Sequence, residues 1–278
     1  MTRKRIQLSE GIFLCAGSVV GLTLAIRGMV AGDPATITAA TAICFWLVEY
    51  QFLIRISEPE SVTRIITNLL TVCLVYGSSG RIISLLQRPD YGPVLLAWDR
   101  WLFGESPAVS LQACASPLMN EILSAGYLSY HGYLLCFLLQ TVRLPPCERN
   151  NSTRPLFTAF AAGFALYFLM PAAGIAATFP DLFHQPIEGF RITKLTQSLV
   201  ATMAAKYDSF PSMHVFVTGV MLAVDFVRCR NRFWVMLPLS AIMFVSTVLL
   251  RMHFAVDLVV SVILLVPFVC LFVDRKRL

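Results

Sequence analysis

The sequence predicts an all-α integral membrane protein, a bundle of about eight transmembrane helices with both termini on the cytoplasmic side. Three observations carry that expectation. Of the 278 residues, 57% are hydrophobic and 14% charged, where a soluble domain carries about a quarter charged. Apolar stretches close to the ~20 residues of a spanning helix recur to the C-terminal end, whereas a secreted chain shows one short stretch and then a soluble composition. Lys and Arg concentrate in alternate connections between those stretches.

Taken in order, the candidate spans cover residues 11–31, 34–54, 62–79, 118–139, 156–177, 213–226, 233–250 and 254–273. With the N-terminus inside, the inner connections hold Arg3, Lys4 and Arg5, then Arg55 and Arg64, then Arg143, Arg149 and Arg154, then Arg228, Arg230 and Arg232, and last Arg275, Lys276 and Arg277. The outer connections hold Arg81, Arg88, Arg100, Arg191, Lys194, Lys206 and Arg251. Every inner segment is basic, which makes the N-in, C-in arrangement self-consistent. Two outer connections are long, 80–117 and 178–212. The first contains Trp98, Trp101, Leu102 and Phe103, a composition suited to a segment lying in the interface. No internal repeat or low-complexity tract interrupts the pattern, so 1–278 reads as one polytopic membrane domain.

Composition also excludes function classes. A net charge of +6 in a soluble protein would raise the question of nucleic acid. Here the basic residues report topology, and no nucleic-acid partner is expected. Eight cysteines stand singly, without zinc spacing. Cys15, Cys44, Cys73, Cys136 and Cys270 fall in apolar stretches, Cys147 and Cys229 on the expected cytoplasmic side, and Cys114 outside. A disulfide framework is not expected.

Chemistry concentrates at two of the four histidines, His131, His184, His214 and His253. Asp208-Ser209-Phe210-Pro211-Ser212-Met213-His214 enters the sixth span, and Arg251-Met252-His253-Phe254-Ala255-Val256-Asp257 enters the eighth. The charge-derived topology puts both at one membrane face. His253 and Asp257 are four apart and share a helix face. An Asp bonded to one ring nitrogen fixes the tautomer and leaves the other free as a nucleophile, and a second His can protonate a departing oxygen. Pro211 suits a helix start, and Ser212 can cap it or donate to a phosphate oxygen. Free N–H groups at such a start bind anions. An Asp one turn inside an apolar helix costs about 3 kcal/mol unless compensated, so Asp257 needs a partner, and His253 is the nearest.

At these residues the chain resembles the type-2 phosphatidic acid phosphatase superfamily, through Pro211-Ser212-Met213-His214 and His253-Phe254-Ala255-Val256-Asp257. The resemblance implies His253 as the nucleophile forming a phosphohistidine, Asp257 as its orienter, His214 as the acid for the leaving group and Ser212 as a phosphate ligand, with no metal or cofactor. It also implies a six-helix lipid-phosphatase core, here roughly 62–273, extended by two helices. Where the superfamily's last motif carries Ser-Arg, this chain has Ser246-Thr247, so that phosphate-binding Arg is absent. The first motif, Lys-x6-Arg-Pro, appears as Arg81-x6-Arg88-Pro89. Arg81 and Arg88 are therefore candidate phosphate ligands, and Arg251, Lys206, Arg191 and Lys194 are other sources of positive charge. The missing Arg, with Asp99-Arg100-Trp101-Leu102-Phe103-Gly104, Leu111-Gln112 and Phe168-Leu169-Met170-Pro171-Ala172, resembles the inositol phosphorylceramide synthase-like branch. Asp99 and Arg100 either organise the interfacial segment or touch the substrate.

The resulting expectation is a membrane enzyme acting on a lipid phosphate at the extracytoplasmic or luminal face of a bacterial inner membrane or an organelle membrane. It is either a lipid phosphate phosphatase or a phosphotransferase with a lipid alcohol as acceptor. The lipid and the oligomeric state stay open. A transporter or flippase is the alternative from another class, although Pro171 and Gly174 interrupt one stretch without a matching interruption elsewhere. Intramembrane proteolysis would want a Gly-rich serine motif, which is absent. Among the other charges, Asp225 is expected to pair with the Arg228 cluster. Arg27 and Glu49 are expected to form an intramembrane salt bridge or a headgroup site. Glu121 and His131 stand too far apart to act together, and His184 is expected to be solvated.

The native cysteines test the orientation. A membrane-impermeant maleimide applied from outside should label Cys114, and Cys147 and Cys229 only after permeabilisation. Labelling of Cys147 from outside in sealed membranes would reverse the assignment.

Overall fold

The computed structural model describes residues 6–273. The basic clusters Arg3, Lys4, Arg5 and Arg275, Lys276, Arg277 lie outside the described residues. Among the described residues the chain is helical with no strand. Helix α1 (Leu8–Ala31) stops at Gly32, whose φ of 63° is the left-handed conformation that glycine adopts freely. Helix α2 (Pro34–Ile56) starts on Pro34 with the Asp33 carboxylate accepting from the Ala35 and Thr36 N–H groups. Ser61 caps α3 (Val62–Leu85). The first long connection contains α4 (Gly92–Phe103) and the short α5 (Pro107–Ser110). Ser116 caps α6 (Pro117–Val142), and α7 (Pro146–Leu169) follows. The second long connection contains α8 (Ile175–Thr178) and α9 (Arg191–Met203). The chain then runs through α10 (Met213–Arg228), α11 (Arg230–Leu249) and α12 (Ala255–Phe272).

Six of these helices are long and apolar enough to cross a membrane: α1, α2, α3, α6, α11 and α12. The protein is therefore a multi-pass, all-helical membrane protein. Two of the eight expected spans fall short of that standard. Helix α10 has 16 residues, and the first turns of α7 carry Glu148, Arg149, Asn150, Asn151 and Arg154. Both sit at the centre of the bundle. Helix α10 packs against α6, α7, α11 and α12, and α7 against α1, α3 and α10. Nearly every residue of α10 from Met213 to Asp225 is buried. A helix surrounded by other helices is not solvated by lipid, so neither full span length nor uniform apolarity is demanded of it.

The expected fifth span, 156–177, ends early. The helix stops at Leu169, and 170–174 is irregular. Pro171 has no N–H to continue a helix, and the backbone of this stretch is used by other loops, as described below.

The charges inside the bundle find partners. Glu10 on α1 and Arg64 on α3 form a buried pair at 2.6 Å, with Arg64 1% exposed and donating also to the Ile54 and Ser57 carbonyls. Arg64 is thus a structural tie rather than a loop charge. Removing one member of such a pair costs about 3–5 kcal/mol. Asp225 accepts from the Tyr133 hydroxyl at 2.7 Å and pairs with Arg232 of the expected cluster. Arg27 does not pair with Glu49: its guanidinium donates to the Leu86 carbonyl at 3.0 Å, closing the ends of α1 and α3, and Glu49 is exposed.

Candidate active site

The loops that enter α10 and α12 are held against each other by the irregular stretch 170–174. The Pro171 carbonyl accepts from Tyr91 N at 2.9 Å, and the Ala172 carbonyl from Ser209 N at 3.0 Å. Ala173 N donates to Asp90 Oδ1 at 3.2 Å. Gly174 lies so close to the α11–α12 turn that a Cβ there would come within 2.5 Å of the Met252 carbonyl oxygen. Only glycine fits. This strap joins the α3–α4 linker, the 208–212 run and the 251–253 turn, three segments distant in sequence.

The start of α12 is fixed from the other side by Asp99. Its carboxylate, fully buried, accepts from Val256 N at 2.8 Å, Ala255 N at 3.2 Å and the Ser106 hydroxyl at 2.6 Å. Asp99 therefore caps α12 from α4, satisfying N–H groups that the helix cannot satisfy itself.

On this frame His253 and Asp257 come together with His214. The His253 Nδ1 lies 2.9 Å from the Ser209 carbonyl oxygen and 3.4 Å from Asp257 Oδ2. The Ser209 hydroxyl gives its proton to Asp257 Oδ2 at 2.6 Å, and Phe254 N donates to the same oxygen at 3.0 Å. Every group facing Nδ1 is thus an acceptor, so Nδ1 carries the proton and Nε2 the lone pair. The sequence assigned this role to Asp257 alone, yet the shorter bond runs to a backbone carbonyl. Nε2 faces His214 Nδ1 at 3.4 Å. The His214 ring packs among Tyr127 and Tyr130, with centroids 4.7 and 4.8 Å away.

Beside the two histidines are polar groups without partners. Ser212 occupies the N-cap position of α10 but makes no capping bond, and its hydroxyl is buried without a partner. The first-turn N–H groups of α10 are therefore uncapped by any side chain, an arrangement that accepts anions. Asp257 Oδ1 and Arg251 Nε are likewise buried and unsatisfied. Arg251 closes α11 in a Schellman-type turn, with Met252 N and His253 N both donating to the Thr247 carbonyl at 3.0 Å. Its φ is 64°, a conformation costing a non-glycine residue about 1–2 kcal/mol. The guanidinium sits 4.5 Å from the Phe183 ring, and burial pulls its pKa down. A strained arginine in an unsatisfied, desolvated position is the pattern of an anion ligand.

A family model for the PAP2 superfamily matches residues 93–271 of this chain. The chain belongs to the PAP2 superfamily. No curated protein and no solved structure matches it. PAP2 membership implies a membrane enzyme of the phosphatase or phosphotransferase type, and the match leaves α1–α3 outside it.

In this PAP2-superfamily chain the other residues singled out in the sequence are dispersed. Arg88 is exposed and donates to the Leu169 carbonyl at 2.8 Å. Arg81 lines a separate apolar cavity. Lys206 is exposed over the Tyr207 ring, in the loop where the Tyr76 hydroxyl donates to Asp208 at 2.7 Å. Burial raises the Asp208 carboxyl above its usual range, against the lowering by Tyr76 and by His253. Arg100, His131 and His184 are exposed, as are Arg191 and Lys194. Glu121 caps α9, accepting from Phe190, Ile192 and Thr193 N–H groups. Gln112 stitches the two long connections through Leu182 and His184. No group of three or more His, Cys, Asp or Glu arranged to hold a metal occurs among the described residues. Ser209, Thr247 and Gly174 were not anticipated as site residues. Ser209 carried a signal in its place in the run before an apolar helix, and Gly174 in its interruption of an apolar stretch.

Arg251 gives a test in which stability and ligand binding part company. Arg251→Gly should be more stable than Arg251→Ala by about 1 kcal/mol in thermal unfolding, because glycine alone relieves the positive φ. Both should lose orthovanadate binding alike. Vanadate affinity equal to that of the unsubstituted protein in either variant would remove Arg251 from the anion site.

Proposed function

We propose that the chain transfers phosphoryl groups of lipid phosphates through a covalent intermediate on His253. The observation that carries this reading is the His253 ring itself, with its Nδ1 proton held by the Ser209 carbonyl and Asp257 and its Nε2 lone pair turned to His214. The Nε2 pair attacks phosphorus, the N–P bond forms, and the P–O bond to the lipid breaks. The departing oxygen takes a proton from the His214 imidazolium. In the second half, water or a lipid hydroxyl gives its proton to His214 as its oxygen attacks phosphorus, and the N–P pair returns to His253.

The uncapped first turn of α10, the Ser212 hydroxyl and Arg251 are suited to hold the phosphoryl oxygens as charge spreads over them. Because Asp99 already occupies the N–H groups that begin α12, the start of α10 is the open anion position. Asp99 acts as a positioning residue, holding the helix that carries Asp257. Helix α4, which presents Asp99, exposes Trp98, Trp101, Leu102 and Phe103, a surface suited to the membrane interface. That supports a substrate delivered from the bilayer. The distribution of Lys and Arg along the sequence supports a site at the outer or luminal face. Water as the second nucleophile makes the protein a lipid phosphate phosphatase. A lipid alcohol makes it a phosphotransferase of the inositol phosphorylceramide synthase-like kind.

A panel of lipid phosphates incubated with purified protein, with and without ceramide or diacylglycerol, separates these. Release of inorganic phosphate, or formation of a new phospholipid only when acceptor is present, is expected to fall at least ~10³-fold in His253→Ala. Turnover that persists in that variant would reject the assignment of the nucleophile.

A further inference from the structure

Helix α3 separates two environments. Tyr76 and Gly80 face the 205–208 loop beside the candidate active site: the Tyr76 hydroxyl reaches Asp208, and a Cβ on Gly80 would come within 2.9 Å of Lys206 N. Val75, Ser78, Arg81 and Ile82 instead line a half-open cavity of about 300 Å³ walled by α1, α2 and α7. None of the residues around His253 lines it. Apart from the face of α7, the cavity lies outside the PAP2 match.

Its shape is that of a groove along the helices. On α2 the lining runs from Ala35 to Trp46, about 11 residues or ~17 Å at the helical rise. The space exists because Ala16 on α1, Ala39 and Ala42 on α2, and Ala161 and Ala165 on α7 stand where larger side chains would interdigitate. Of the polar residues in the lining, Thr38 and Ser78 return their hydroxyls to their own helices, to the Pro34 and Leu74 carbonyls at 2.7 Å. Arg81 is exposed and has no hydrogen bond or ion pair among the described residues. At the nearby start of α2 the Asp33 carboxylate is turned to the Ala35 and Thr36 groups it caps and makes no ion pair with Arg81. Arg27 adds a second cation at this end through its bond to Leu86.

An apolar groove at membrane depth stays free of water, and an exposed cation at its end, one turn from the end of α3, is placed to attract an anionic headgroup. We propose that this cavity is an accessory lipid site, holding one acyl chain of an anionic phospholipid of the surrounding bilayer with its phosphate against Arg81. The phosphate that Arg81 binds then belongs to this lipid and not to the group that His253 receives. The site stands or falls independently of the phosphoryl-transfer reading.

The test uses the full chain in phosphatidylcholine nanodiscs that contain, as a minor component, phosphatidylglycerol with a photoactivatable group midway along one acyl chain. Lipid adducts are expected on the α1, α2 or α7 residues of the cavity. They should disappear in Ala39→Phe and in Ala165→Leu, which fill the groove from different helices, provided each variant elutes and melts like the unsubstituted protein. Arg81→Gln should weaken labelling about fivefold, the ~1 kcal/mol that one basic side chain contributes to anionic-lipid binding. A phosphatidylcholine probe should label at that weaker level, and His253→Ala should leave labelling unchanged. Adducts outside the cavity, labelling indifferent to both filling variants, equal labelling by the two lipids, or cross-links to a second copy of the chain in place of lipid would each overturn the proposal.

Discussion

The arrangement around His253 depends on one hydrogen bond, from its Nδ1–H to the Ser209 carbonyl at 2.9 Å. A neutral imidazole can place its proton on either nitrogen, and only the choice of Nδ1 leaves a lone pair on Nε2, as the proposed role requires. Keeping an acceptor at that position requires the loop before α10 and the turn before α12 to meet in fixed register. The strap at 170–174 supplies the register by accepting Ser209 N on Ala172 and by lying against Met252 at Gly174. Asp99 fixes the remaining freedom of α12. The broken helix after α7 is therefore not a defect in a span, because its freed carbonyls serve as the contacts that assemble the site.

The same logic distributes charge through the bundle. A carboxylate or guanidinium surrounded by helices is tolerable where each polar atom meets another. Glu10 with Arg64, Asp225 with Arg232 and Tyr133, and Asp99 with two backbone N–H groups and Ser106 follow that rule. Eight buried side-chain atoms among the described residues are exceptions, three of them beside His253. Ser212, Arg251 and Asp257 each leave an atom unsatisfied beside His253, while Ser9, Asn120, Arg149, Thr196 and Thr218 do so singly elsewhere; Arg81, which is exposed, has no partner among the described residues at the end of an apolar groove. Several such atoms lying together, as beside His253, are an arrangement that a polar ligand can complete.

Much of this was legible in the chain. Four histidines in 278 residues, two of them entering apolar helices and one followed by an Asp four residues on, are enough to bring His214, His253 and Asp257 into view. The helical membrane class followed from composition. Other features were hidden for identifiable reasons. The Ser209 carbonyl leaves no side-chain signature, and neither does the Thr247 carbonyl that closes the α11 turn onto His253. The positive φ of Arg251 is a product of the turn. Asp99 could be read as structural or substrate-facing until its helix was docked on α12. Helices α7 and α10 resist counting as spans because their neighbours, rather than lipid, set their composition.

The most direct measurement is a rapid alkaline quench of the purified protein during turnover of a lipid phosphate, followed by mass spectrometry of the peptide that contains His253. Phosphate attached to the His253 ring, and absent from the same peptide in His253→Asn, is the expected result. Turnover with no phosphorylated His253, or with the phosphate on another side chain, would contradict a covalent intermediate at this residue.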